Sequence, residues 1–147
     1  MVERVRALDP SARTASPKPG EFSPVQVLLH MALAEKVDLV QLKKSPPESF
    51  RGESAKPSFI FPRAVKRMRE AKKMGTFKSM TPPPGGTLES ASNEWEQARA
   101  SIRDYFERVT DPNATMIKLF LFGRLSALDF LSLLEAHCQY HEIRFPA

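Results

Sequence analysis

Proline is the residue that most constrains how this chain can fold. Seven of its thirteen prolines lie between residues 45 and 86, and three of these form the run Pro82-Pro83-Pro84 that precedes two glycines. Proline lacks the backbone N–H and clashes with the preceding helical turn, so no long helix can run through this segment. We therefore predict long helices on either side of a connection over residues 45–86, which crosses over the domain or carries function.

Apolar residues recur at helical spacing in four segments of the chain. The segment after residue 22 has the clearest start, since Ser23 and Gln26 have capping-box spacing and Pro24 takes the first helical position. The prolines within residues 9–22 predict a connector without regular structure. The predicted helices are a short one over residues 1–8 and three long ones over residues 23–44, 87–109 and 126–144.

The other segments predict only small elements. Within the connection, residues 62–73 predict a short basic helix that follows an apolar anchor at Phe59-Ile60-Phe61. Residues 114–124 are apolar and predict a packed loop or a short turn of helix, and no segment has the clear alternation of a β-strand. The predicted fold class is therefore all-α, with one domain over residues 1–147 that forms a helix bundle with a long crossover connection.

Charge and cysteine content limit the class of function. The net charge is +5, and much of it comes from basic residues over residues 63–78. We interpret these as a solvated helix face and do not expect nucleic-acid binding, because no recognised nucleic-acid motif accompanies them. Cys138 is the single cysteine, which excludes an intrachain disulfide and fits a reducing compartment. With no signal-peptide pattern and no apolar run of membrane-spanning length, a cytoplasmic location is expected.

The three histidines of the chain all lie on predicted inward faces. His137 and His141 are four residues apart on the last helix, which places their Cβ atoms about 5–6 Å apart. His30 lies on the inward face of the helix over residues 23–44. A buried imidazole needs a hydrogen-bond partner or a metal. Two interpretations stay open: ordinary core histidines, or three ligands of one ion with a position left for water or substrate.

Two parts of the sequence resemble the DinB/YfiT-like superfamily of metal-dependent helical bundles. The first is the run Ser-Pro-Val-Gln-Val-Leu-Leu-His-Met-Ala over residues 23–32, which is similar to the family's histidine-bearing second helix. The second is Phe-Gly-Arg-Leu-Ser over residues 122–126, followed over residues 135–145 by the two remaining histidines. The resemblance covers roughly residues 22–145, and the predicted first helix is shorter than is usual in that family.

The resemblance implies a four-helix bundle, commonly a homodimer, in which His30, His137 and His141 hold a divalent metal ion, nickel or zinc in particular. It implies an enzyme acting on a small-molecule substrate, either a hydrolase or a transferase or isomerase that uses a small thiol. The alternative is a non-catalytic binding module of the same fold, with a structural metal or none. Arg144 either binds a substrate anion or complements the negative helix end, and Cys138 is a ligand, a nucleophile or an inert buried thiol.

Overall fold

The computed structural model describes residues 1–145, and helices form most of it. The three long predicted helices are confirmed, with ends that differ from the predicted ones by up to three residues. The helices are α1 (Val2–Ala7), α2 (Pro10–Thr14), α3 (Pro24–Lys44), α4 (Ile60–Arg69), α5 (Leu88–Phe106) and α6 (Ala127–Glu142), with 3-10 turns at Pro47–Phe50 and Lys78–Met80. The last two residues of the predicted domain over residues 1–147 lie outside this described part.

Side-chain caps fix where the long helices begin. Ser23 and Gln26 form the predicted capping box at the start of α3, each side chain bonding the backbone N–H of the other. Ser126 and Asp129 form a second capping box at the start of α6. The connector predicted over residues 9–22 was partly wrong, since Asp9 caps α2 by accepting a hydrogen bond from the Ser11 N–H.

A three-stranded antiparallel sheet corrects the all-α prediction. Its strands are β1 (Lys56–Pro57), β2 (Thr115–Leu119) and β3 (Gly123–Ser126), in the order β1-β3-β2. The loop or helical turn predicted over residues 114–124 is thus part of a β-hairpin. Four of the five β2 residues are buried, so the strand has no polar alternation and cannot be distinguished by periodicity from a buried helical turn.

The four longer helices pack in two pairs that are joined by the hydrophobic core. α3 packs along α5, and α4 packs along α6. The larger hydrophobic cluster joins these four helices to the sheet through Leu42, Val65, Ile102, Phe130 and Leu125. α1 instead contacts α3 and α5 at the other end of the molecule. The proline-rich connection therefore supplies a bundle helix, α4, in addition to crossing over the domain.

The outer surface of α4 carries the basic residues singled out above. Arg63, Lys66, Arg67 and Arg69 are exposed on this helix, as expected for a solvated face. The Nζ atom of Lys66 lies 3.8 Å from the Oε1 atom of Glu70, which is one helical turn further along the chain. None of the helices within residues 1–145 has both the length and the apolar character that a membrane crossing requires.

Gly123 is the residue on which the pairing of β1 with β3 depends. Its φ is +79°, and a Cβ added there would lie 2.7 Å from the Lys56 carbonyl oxygen and 2.9 Å from the Ser58 nitrogen. Both are backbone atoms, so they cannot move away without disturbing the strand pair. We expect Gly123→Ala to lower the free energy of unfolding by about 1–3 kcal/mol, measured by urea denaturation.

Gly52 provides the matched control for this substitution. Its φ is +75°, but a Cβ added there meets no atom within 4 Å. Gly52→Ala therefore reports the cost of the backbone conformation alone. An equal loss of stability in the two variants would contradict the steric explanation given for Gly123.

Candidate metal centre

α3 and α6 bring the three histidines together at one point inside the bundle. His30 comes from the second turn of α3, and His137 and His141 come from the last turns of α6. Their ring centroids lie 4.9–5.1 Å apart in all three pairs. Within residues 1–145, these three histidines form the group whose ligand atoms approach closely enough to share a metal ion, all lying within 4.8 Å of one another.

The distances between the ring nitrogens fit a tetrahedral ion. The Nε2 atom of His137 lies 3.1 Å from Nε2 of His30 and 3.2 Å from Nε2 of His141. In a tetrahedral zinc site with metal–nitrogen bonds of about 2.0–2.1 Å, two ligand nitrogens are about 3.3 Å apart. Two of the three nitrogen pairs have close to this spacing, and all the ligand atoms lie within 4.8 Å of one another, so the group suits one divalent ion. The imidazole ligands leave open which metal it is.

A backbone carbonyl fixes the tautomer of His30. Its Nδ1 lies 2.7 Å from the Met80 carbonyl oxygen. A carbonyl oxygen only accepts, so we assign the proton to Nδ1, and Nε2 then presents its lone pair to the other two histidines. Met80 ends the 3-10 turn within the proline-rich connection, so this segment contributes directly to the site.

Burial keeps the histidines neutral at physiological pH. It lowers the pKa of His30, although the hydrogen bond to Met80 acts in the opposite direction. The pKa of His137 is lowered to about 3 by burial, and next by the charge of His30. The pKa of His141 is lowered to about 2, again by burial first and then by its two histidine neighbours. Neutral imidazole is the form that binds a metal, so all three side chains are ready to coordinate one.

A cavity of about 450 Å³ lies beside the histidines and reaches all three of them. We call it the apolar cavity, because α4, the β-hairpin and α6 contribute mainly aliphatic and aromatic side chains to its wall. Residues 74–80 of the connection close one side of it. Its apolar wall includes Ile60, Ala64, Met68, Leu119, Phe122, Leu133 and Leu134.

A second pocket, of about 380 Å³, lies on the other side of His141 and is more polar. Lys18, Lys73 and Arg144 contribute to its wall. The Arg144 guanidinium stacks on the Tyr140 ring at 4.2 Å and donates a hydrogen bond to the Ala71 carbonyl oxygen. Arg144 therefore links the proline-rich connection to the C-terminal end of α6. It also forms part of the wall of this pocket.

Cys138 is held away from the histidine cluster. Its Sγ accepts a hydrogen bond of 3.4 Å from Nη2 of Arg99, which lies on α5. Burial raises the pKa of the Cys138 thiol, although Arg99 acts in the opposite direction, so the thiolate is disfavoured. This geometry supports the interpretation of a buried inert thiol and does not support a fourth ligand.

The sequence did not allow a role to be assigned to the two acidic residues of α3 near the site. Glu35 is 1% exposed, and its carboxylate accepts hydrogen bonds from Arg99 and from the indole N–H of Trp95. Asp38 lines the apolar cavity. Its spacing of eight residues from His30 places it on the same helix face, which is a signal the sequence contained. Glu35 had no such signal, because α3 is buried on almost all sides.

Comparisons with known proteins agree with this architecture. The crystal structure of TT2238, a four-helix bundle protein, is similar to this chain with a TM-score of 0.54 and 20% sequence identity, over 97% of this chain and 84% of that one. At that identity the likeness is one of fold. No curated protein matches the chain significantly. A family model described as the DinB superfamily matches residues 1–142, so the resemblance found in the two motifs is confirmed and the chain belongs to the DinB superfamily.

Proposed function

We propose that this protein is a metal-dependent enzyme whose His30, His137 and His141 hold one divalent ion, nickel or zinc. The observation that carries the proposal is the convergence of three neutral imidazoles, in which Nε2 of His137 lies 3.1 Å from Nε2 of His30 and 3.2 Å from Nε2 of His141. Membership of the DinB superfamily supports it. An ion held by three neutral histidines lowers the pKa of a bound water or polarises a carbonyl group of the substrate.

The side chains around the histidines hold the site in shape. Met80 orients the His30 ring through its carbonyl oxygen. The Tyr140 ring packs edge-on against His141, and its hydroxyl accepts a hydrogen bond of 3.0 Å from the Met74 N–H. The apolar cavity next to them would bind the apolar part of a small-molecule substrate and exclude water from it.

Two reaction classes are compatible with this site. One is hydrolysis, and the other is transfer or isomerisation with a small thiol. Cys138 accepts a hydrogen bond from Arg99, and burial disfavours its thiolate, so a thiol used in the reaction would have to come from a second substrate. The chain would then contribute the histidine ligands and the apolar cavity, without an internal nucleophile.

Metal content tests the proposal. Wild-type protein, purified without chelator and reloaded with nickel or zinc at neutral pH, is expected to contain close to one equivalent by elemental analysis. His137→Ala removes the ligand that lies next to both others, so we expect its metal affinity to fall by at least tenfold. Cys138→Ala is the matched control, since it changes the neighbouring position and should retain the metal.

Two results would contradict the proposal. One is wild-type protein that binds no metal even after reloading, and the other is equal metal content in wild type and His137→Ala. Either would leave a non-catalytic binding module of the same fold as the better explanation.

A further inference from the structure

The apolar cavity contains one carboxyl group that the proposed metal site does not use. Asp38 lies eight residues after His30 on α3, so the two backbone positions are about 12 Å apart along the helix axis. Both side chains line the same cavity. Asp38 is therefore too far from the histidines to serve as a further ligand, and it marks the remote end of the cavity.

Asp38 has no partner of opposite charge within the described residues. The charged group that influences it is Glu35, which is itself an anion. The Glu35 carboxylate already accepts hydrogen bonds from Arg99 and Trp95. Burial, and then the proximity of Glu35, raises the pKa of Asp38 to about 8. The side chain is half-buried, and no residue of the described part of the chain donates a hydrogen bond to it, so a ligand that supplied a donor would be favoured.

The elements that form the rest of the cavity wall contribute mainly apolar groups to it. α4 contributes Ile60 and Ala64, the hairpin contributes Leu119, and α6 contributes Leu133. The titratable groups that share the cavity are Glu35, the three histidines and Tyr140. The histidines are neutral at physiological pH, so none of these groups provides a cation for Asp38.

The chemistry of this end of the cavity selects among ligand groups. A carboxylate or phosphate would be repelled by Asp38 once its carboxyl group ionises. A hydroxyl group could share a hydrogen bond with Asp38 but would supply no counter-charge once the carboxyl group ionises. A protonated amine supplies both the donors and the positive charge, and it gains most where water is excluded.

We propose that Asp38 is a binding site for the protonated amine of an elongated substrate, whose apolar part fills the cavity between Asp38 and the histidines. The inference deepens the proposed function, because it names the substrate class of the same site. The pairing of an amine with Asp38 does not itself need a metal, so the two proposals can be tested separately.

Three ligands of equal length test the inference. n-Hexylamine, n-hexanol and hexanoate are titrated by calorimetry into the full-length protein at about pH 9, where Asp38 is ionised and an alkylamine is still protonated. The titrations are run after chelator treatment and again after reloading with zinc. The metal-free titration is decisive, because a free amine could also bind zinc. We expect hexylamine to bind the wild type at least tenfold more tightly than hexanol, and hexanoate to bind more weakly than either.

Asp38→Asn should remove this preference. It keeps the size of the side chain but cannot carry the charge, so hexylamine should bind no more tightly than hexanol, while hexanol binding changes by no more than about twofold. Asp104→Asn is the control, because Asp104 is an exposed aspartate on α5 and its variant should keep the wild-type preference.

Either of two results would overturn the inference: no preference for hexylamine over hexanol in the wild type, or an unchanged preference in Asp38→Asn. If Asp38→Asn folds poorly, the comparison of hexylamine with hexanol in the wild type still tests the inference. A clear amine preference in a protein that binds no metal would overturn the proposed metal site and leave the amine site standing.

Discussion

Arg99→Met is expected to lower the free energy of unfolding by about 3–5 kcal/mol. Glu35 is 1% exposed in its side chain and Arg99 is 34% exposed, so the substitution leaves a buried carboxylate without its cation. Both Nε and Nη2 of Arg99 donate to that carboxylate, and the guanidinium also stacks on Trp95 at 4.9 Å. The pair links α3 to α5, so its loss should appear in urea denaturation at neutral pH.

A second ion pair between the same helices provides the comparison. The Nζ atom of Lys36 lies 2.8 Å from the Oε2 atom of Glu94, but the two side chains are 47% and 41% exposed. Lys36→Met should therefore cost no more than about 1 kcal/mol, because water already solvates both charges. Glu35→Gln combined with Arg99→Met should recover part of the loss, since no buried charge is left. Equal losses for Lys36→Met and Arg99→Met would contradict this account.

Asp38→Asn is expected to change how stability depends on pH. The folded-state pKa of Asp38 is about 8, well above its ordinary value of 3.8, so between these values the folded protein binds more protons than the unfolded chain. Wild-type stability attributable to this group therefore falls as pH rises through that range, by up to about 1.4 kcal/mol per pH unit. The asparagine variant stays neutral and should be more stable than wild type at pH 8.

The difference in unfolding free energy between wild type and Asp38→Asn is the quantity to measure, by urea denaturation at several pH values from 4 to 8. The three histidines have pKa values lowered from 6.5, and they make the metal-free protein more stable as pH rises toward that value. Their contribution is common to both proteins and cancels in the difference. A difference that does not grow with pH would show that Asp38 is already ionised and paired in the folded state.

The proline-rich connection has a larger role than its composition indicates. It contributes α4 to the bundle, the Met80 carbonyl to His30, and the wall of the apolar cavity over residues 74–80. Each contribution depends on contacts with residues far away in the chain. That the connection carries function stays a prediction, whereas the part played by α4 in the bundle was missed.

The helix boundaries and the faces of the histidines could be predicted from local signals in the sequence. Ser23 and Ser126 cap helices through residues three positions away, and the prolines after Lys44 end α3, so these boundaries are encoded within a few residues. The spacing of His137 and His141 placed both on one face of α6. The inward face predicted for His30 is confirmed by its burial, and its closeness to the other two histidines agrees with the hypothesis of one shared site.

Only the tertiary structure decided the features that depend on distant partners. β2 was missed because burial on both faces removes the alternation that marks a strand, and its pairing with β3 is set by the packing of the hairpin against the helices. The sequence contains Glu35 and Asp38 as two similar acids three residues apart on one helix. The fold gives Glu35 the guanidinium of Arg99 and leaves Asp38 facing an apolar cavity. Their different chemistry arises from charge pairing and burial, which are properties of neighbours in space and not of neighbours along the chain.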